Sequence, residues 1–222
     1  MKDFIIKTLR ENVKRNGIDN LIQFLEDSDF FKAPASTKFH GACKGGLVNH
    51  SVHVYNLLVK KNTDFLMNIS LDTLTIAGLL HDICKINYYV VDDEPATAPQ
   101  ISYLKVLTGE IFDKISKTYA SKLIEHYKGE GSQSNAPDPE TSYKINDTLP
   151  FGHGEKSVYM LNKFIALTDE EALAIRWHMG PYSPGMETNW LVSNTYNQAT
   201  IKYPLIVALF TVDYESSKIL NK

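Results

Sequence analysis

"AGLLHDICKINYY", residues 77–89, ends an apolar run on adjacent histidine and aspartate, His81 and Asp82, with Lys85 three residues beyond. Taken alone, the pair could be the polar end of a core helix or part of a metal site. The choice rests on whether the rest of the chain supplies partners. Upstream, Ser70 is a suitable N-cap, and Leu71, Leu74, Ala77, Gly78 and Leu80 recur in a pattern apolar enough to be buried on most sides. The dyad therefore stands at the C-terminal end of a core helix.

The helical pattern extends over most of the chain. Phe4, Ile5 and Leu9 in the first segment and Leu21, Ile22, Phe24 and Leu25 in the second recur at helical spacing, with Gly17 as the break. Residues 1–37 read as a helical lead-in. After a loop rich in Gly, Pro and Ser, "LVNHSVHVYNLLVKK" predicts an amphipathic helix from about Leu47 to Lys61, with His50, Val54 and Leu57 on one stripe. "INYYVVDD" (86–93) and "TSYKIND" (141–147) predict two short strands pairing as a ribbon. Between them, "SYLKVLTGEIFDKISKTYASKLIEHYKG" (102–129) reads as helical, at least over 109–128, followed by a loop. The segment 92–140 is expected to be an insertion or lid, too short for a core of its own. Helices resume at Glu155. Thr168 with Glu171 forms a capping-box pattern, and Pro204 opens the last helix.

A chain of 222 residues with 43% hydrophobic content fits one domain, 1–222, of mainly α class. A net charge of -3 gives no global basic field for long polyanions. Two cysteines, Cys43 and Cys84, form neither a disulfide framework nor a zinc ribbon, which fits a reducing cytoplasm. No stretch approaches the roughly eighteen apolar residues of a membrane span. No membrane partner is expected.

Polar residues in apolar surroundings narrow the chemistry. His50, His81 with Asp82, His178 and Asp213 lie within or at the ends of apolar helices, and His153 lies in the Gly-flanked turn "FGHGEK". Asp213 follows a nearly unbroken apolar run, where an ionised carboxylate is costly without a cation or several donors. A metal shared by four imidazoles and two carboxylates would satisfy these groups together, and N and O donors of this kind suit divalent transition ions. Weaker candidates surround this set. His40 and Lys44 could reach a phosphate from the loop before the first ligand helix. His53, one turn after His50, could compete for the same metal or stand beside substrate. Glu155 and Lys156, after His153, could orient that ligand or touch substrate, and Arg176, before His178, is either a surface residue or an anion clamp. Cys84 is expected to pack behind the dyad.

The order His50, His81-Asp82, Asp213 resembles the HD-domain superfamily of metal-dependent phosphohydrolases. His153 and His178 resemble the additions seen in its two-metal members. The phrase "HGACKGGLVNHSVHV" is similar to the approach to the first ligand helix in HD-type exoribonucleases, and the ligand order is also similar to that of myo-inositol oxygenase. The resemblance covers roughly residues 38 to 215. It implies an HD-type helical bundle, with the small β-ribbon and insertion between the HD helix and the third-ligand turn. It also implies two divalent metals, iron or manganese first, with zinc, nickel, cobalt or magnesium as alternatives. Asp82 would bridge them and be catalytic with Lys85; His50, His81 and Asp213 would complete one site, and His153 and His178 the other. The expected activity is hydrolysis of a phosphate mono- or diester, of a nucleotide or short oligonucleotide, by a metal-bridging hydroxide. A di-iron oxygenase is the alternative reading, and an inactive nucleotide-binding module the third.

Overall fold

The computed structural model describes residues 1–37, 41–129, 142–181 and 190–220. It is mainly helical. Two N-terminal helices, α1 (Lys2–Asn12) and α2 (Ile18–Asp27), lead into α3 (Gly46–Asp64) and α4 (Leu71–Leu80). A short 3-10 turn, Ile83–Lys85, carries the chain to strand β1 (Tyr89–Val91). Then come α5 (Ala98–Thr108), α6 (Lys117–Tyr127) and β2 (Tyr143–Ile145). Four more helices complete the chain: α7 (His153–Leu161), α8 (Asp169–Arg176), α9 (Trp190–Lys202) and α10 (Pro204–Glu215). A π-helical turn, Ser216–Leu220, extends α10. No described helix is long and apolar enough to cross a membrane.

The centre of the fold is α4, buried from Thr73 to Leu80, and packed against α1, α3 and α8. A helix apolar on every side can only be an interior one. Ser70 caps it by accepting from the Thr73 amide. Around it Leu9, Leu21, Leu47, Leu58, Ile76, Leu79, Trp177 and Leu209 are buried in one continuous core. Each such aliphatic side chain contributes roughly 1.5–3 kcal/mol through removal from water.

The two strands pair antiparallel, Tyr89 opposite Ile145 and Val91 opposite Tyr143, forming a ribbon beside the helices. The segment between them departs from the continuous helical stretch expected over 102–129, since residues 109–116 are not helical. Thr97 forms a capping box with Gln100, α5 stops at Gly109, and Ser116 caps α6. Two helices with separate caps therefore replace one. They assemble a small cluster of their own around Leu104, Ala120 and Leu123, apart from the main core. The loop expected beyond them falls largely outside the described residues. The sequence reading offers no element for helix α9: Val192, Tyr196 and Ala199 fall at helical spacing and pack against the core, but only Ala199 is buried and the residues between them are polar enough to obscure the stripe.

Candidate metal centre

Asp82 lies where four helices deliver imidazoles. His50 comes from the second turn of α3, His81 from the C-cap of α4, His153 from the first position of α7, and His178 from two residues beyond α8. Asp213 is contributed by the last turn of α10. Local rules aim two of these rings. The last carbonyls of a helix lack intrahelical partners. His81 Nδ1 donates to Gly78 O of α4 at 3.0 Å, and His178 Nδ1 donates to Ile175 O of α8 at 2.6 Å. A carbonyl only accepts, so the proton of each ring sits on Nδ1, and each Nε2 is turned inward.

Two glycines let the backbones come close enough for the rings to meet. A Cβ on Gly78 would lie 2.7 Å from Tyr55 Cα, so α3 and α4 cross nearly backbone to backbone. A Cβ on Gly154 would lie 2.2 Å from Arg176 O, which seats α7 on the end of α8. Ring centroids follow one another at 5.3 Å (His50 to His81), 5.0 Å (His81 to His178) and 5.1 Å (His178 to His153). Gly154→Ala must push α7 from α8, and is expected to lower stability by about 1–3 kcal/mol as an overpacked contact does. Urea unfolding measures this, and a loss below about 0.5 kcal/mol would show that the contact is relaxed without cost.

The inward atoms sort by carboxylate oxygen. Asp82 Oδ1 lies 2.8 Å from His153 Nε2 and 3.4 Å from His178 Nε2. Asp82 Oδ2 lies 3.7 Å from His50 Nε2, 3.6 Å from His81 Nε2 and 2.6 Å from Lys85 Nζ. Asp213 Oδ1 is 2.8 Å from His50 Nε2 and 3.8 Å from His81 Nε2. His50 and His81 bring their Nε2 atoms within 3.3 Å of each other.

The protonation of His81, Asp82 and Asp213 favours a cation among these atoms. At His178, burial lowers the imidazole but the Asp82 carboxylate outweighs it and raises it, so a metal there would displace a proton. Burial pushes the His81 imidazole down to about 3, so it is neutral at ordinary pH and its Nε2 carries a lone pair. Burial raises the Asp82 carboxyl, but Lys85, His81 and His153 outweigh it and hold the group well below the usual carboxylate range. Asp213, also raised by burial, is brought down to about 2 chiefly by the hydrogen bond and charge of His50. Two buried carboxylates thus face one ammonium, Lys85, among the described residues. His178 Nε2 is buried without a hydrogen bond in the same group. A divalent cation fits this set: it would take the lone pairs and offset the excess negative charge.

Buried His, Asp and Cys groups here could hold a metal ion. Donor atoms of His50, His81 and Asp82 lie within 4.8 Å of one another, as do those of Asp82, Cys84 and His153. The thiol is the member whose contact was not foreseen. Cys84 packs behind the dyad as expected, but its Sγ also lies 3.2 Å from His153 Nδ1. Burial, then the Asp82 charge, pushes the thiol up to about 12, so it keeps its proton. A cysteine in an apolar context reads as filler, and nothing in the sequence pairs it with a histidine 69 residues away.

The weaker candidates take other places. Lys85 is buried and turned onto Asp82, not into solvent. Lys156 is buried against Asp147 at 2.6 Å, with the Tyr88 ring 4.9 Å away. Arg176 pairs with Glu155 at 3.1 Å and lies over Trp177 at 3.9 Å, so Glu155 is engaged there. His53 is half-buried on α3, Lys44 is exposed just before it, and His40 lies outside the described residues. Comparison with known proteins yields no match: no family model, no curated protein and no solved structure is similar to this chain. The site must be read from its own chemistry.

Proposed function

We propose that this chain is an HD-type metal-dependent phosphohydrolase, cleaving a phosphate mono- or diester of a nucleotide or short oligonucleotide. One observation supports this above the others: the two oxygens of Asp82 face different pairs of imidazoles, His153 and His178 on one side, His50 and His81 on the other. A carboxylate so divided is suited to bridging two cations. His50, His81, Asp213 and Asp82 Oδ2 would hold one, and His153, His178 and Asp82 Oδ1 the other. Bound there, two divalent metals would supply the positive charge that phosphoryl transfer requires, and would acidify the attacking water.

The chain's own groups do the rest. Lys85 places an ammonium beside Asp82, where it can donate to a phosphoryl oxygen and steady a developing negative charge. The side chain of His153 is 31% exposed, whereas those of His50, His81 and His178 are fully enclosed, so substrate approach is assigned to the His153 side. The modest net charge of -3 favours a small or short anionic substrate over a long polyanion.

Metal analysis, a panel of nucleotide and phosphodiester substrates, and an oxygen electrode test the reading together. Two metals per chain are expected, with hydrolysis that needs no oxygen. One zinc in a closed site would overturn it. Oxygen-dependent turnover would replace it with a di-iron oxygenase, which the same N and O donors can serve.

A further inference from the structure

The four imidazoles are held unequally. His81 and His178 donate from Nδ1 to backbone carbonyls, and His50 Nδ1 meets Ser216 Oγ at 3.2 Å. The Nδ1 of His153 meets sulfur, a weak acceptor, at Cys84. Cys84 is itself fixed by its position in the 3-10 turn and by its amide, which donates to Ser157 Oγ at 3.3 Å. His153 also opens α7, where the positive end of the helix dipole opposes a nearby cation. His81, by contrast, caps the negative end of α4.

We infer that Cys84 is the positioning residue for His153, and that this weaker hold makes the His153/His178 position the second and more exchangeable of two metal positions. The inference rests on the two-metal reading above. Cys84 acts without ionising: here His153 Nε2 donates to the Asp82 carboxylate at 2.8 Å with the thiol at Nδ1, and with Nε2 turned to a metal the sulfur would accept the Nδ1–H and hold the ring in place. Such outer partners of metal-ligating histidines commonly carry ~10–100-fold in metal affinity.

Binding isotherms of Co(II) to the metal-stripped full chain test this directly. The wild type should show two steps, the second at least ~10-fold weaker than the first. Cys84→Ala should weaken the second step by a further ~10-fold and leave the first within ~2-fold. Cys84→Ser, which retains an acceptor, should return the second step to within ~3-fold of wild type. Cys84→Val fills the thiol's space without an acceptor, and should repeat the alanine result where alanine impairs folding.

Equal steps in the wild type, or Cys84 variants that shift both steps alike or neither, would overturn the inference while the two-metal reading stands. So would a near-ultraviolet sulfur-to-cobalt charge-transfer band lost in Cys84→Ser, which would make Cys84 a ligand in its own right. A wild-type chain that takes up no Co(II) would overturn both.

Discussion

On the proposed two-metal phosphohydrolase reading, Asp82→Ala is expected to abolish metal uptake and hydrolysis together, and it should weaken the fold even in the presence of a chelator. The first loss follows from the proposed bridge: Asp82 Oδ1 lies 2.8 and 3.4 Å from the Nε2 atoms of His153 and His178, and its Oδ2 faces those of His50 and His81 at 3.7 and 3.6 Å. The second follows from Lys85, which is 7% exposed and gives its ammonium to Asp82 at 2.6 Å. Removing one partner of a buried pair leaves the other charge uncompensated, at a cost of about 3–5 kcal/mol. Repulsion between Asp82 and Asp213 acts in the opposite sense. It is the smaller effect, since the histidines lie between the two carboxylates, whereas Lys85 bonds to Asp82 directly. The double variant Asp82→Ala/Lys85→Met, with charge removed on both sides, should therefore recover most of the lost stability without recovering metal. Urea unfolding with chelator present measures both. If Asp82→Ala is more stable than wild type there, carboxylate repulsion governs the cluster and the account of Lys85 is wrong.

What the sequence disclosed about this site was set by local pattern. His50, His81, Asp82 and Asp213 stood out because each interrupts an apolar helical run, and polar groups in such places need partners. The structure brings them together, with His153 and His178. The capping box at Thr168 and the cap at Ser70 were equally legible, since each is a short-range bond between residues three apart. What stayed hidden lacks a local signature. Cys84 meets His153 through the packing of α7 on the 3-10 turn, a contact between residues 69 apart that residue spacing does not announce. Lys156 looked available for substrate, yet Asp147, nine positions earlier, holds it. The break between α5 and α6 was missed because Ile111, Phe112 and Ile115 continue an apolar pattern at helical spacing, while Gly109 ending α5 and the cap at Ser116 decide otherwise.

The largest stability effect outside the metal cluster is expected at Arg15, in the connection between α1 and α2. Its guanidinium bonds Glu171 through both terminal nitrogens, at 2.7 and 2.5 Å, and Asp72 through Nε at 3.1 Å. Asp72 lies in the first turn of α4 and Glu171 in the first turn of α8. Arg15 thus clamps the starting ends of the two helices whose far ends present His81 and His178. Glu171 is fully buried, so Arg15→Ala strands a carboxylate and should cost about 3–5 kcal/mol. Glu171→Gln leaves Arg15 partly solvated and bonded to Asp72, and should cost less, about 1–3 kcal/mol. Metal affinity in the folded Arg15 variant should stay within ~3-fold, because the Nδ1 bonds of His81 and His178 aim their rings locally.

The pH dependence separates this from simple loss of packing. Burial raises the Glu171 carboxyl, but Arg15 and the Thr168 amide outweigh it and hold the group below its ordinary 4.5. In the wild type that contribution is present above about 4.5 and is lost as pH falls through the lower folded value. Without Arg15, burial is left to dominate, and the folded-state value should rise above 4.5. Protonation then relieves the stranded charge as pH falls, which favours the folded variant. The deficit of Arg15→Ala relative to wild type should therefore be greatest near about pH 7 and shrink by about pH 4 in urea unfolding. A deficit that holds constant or grows on acidification would assign the effect to lost contacts, and not to the charge of Glu171.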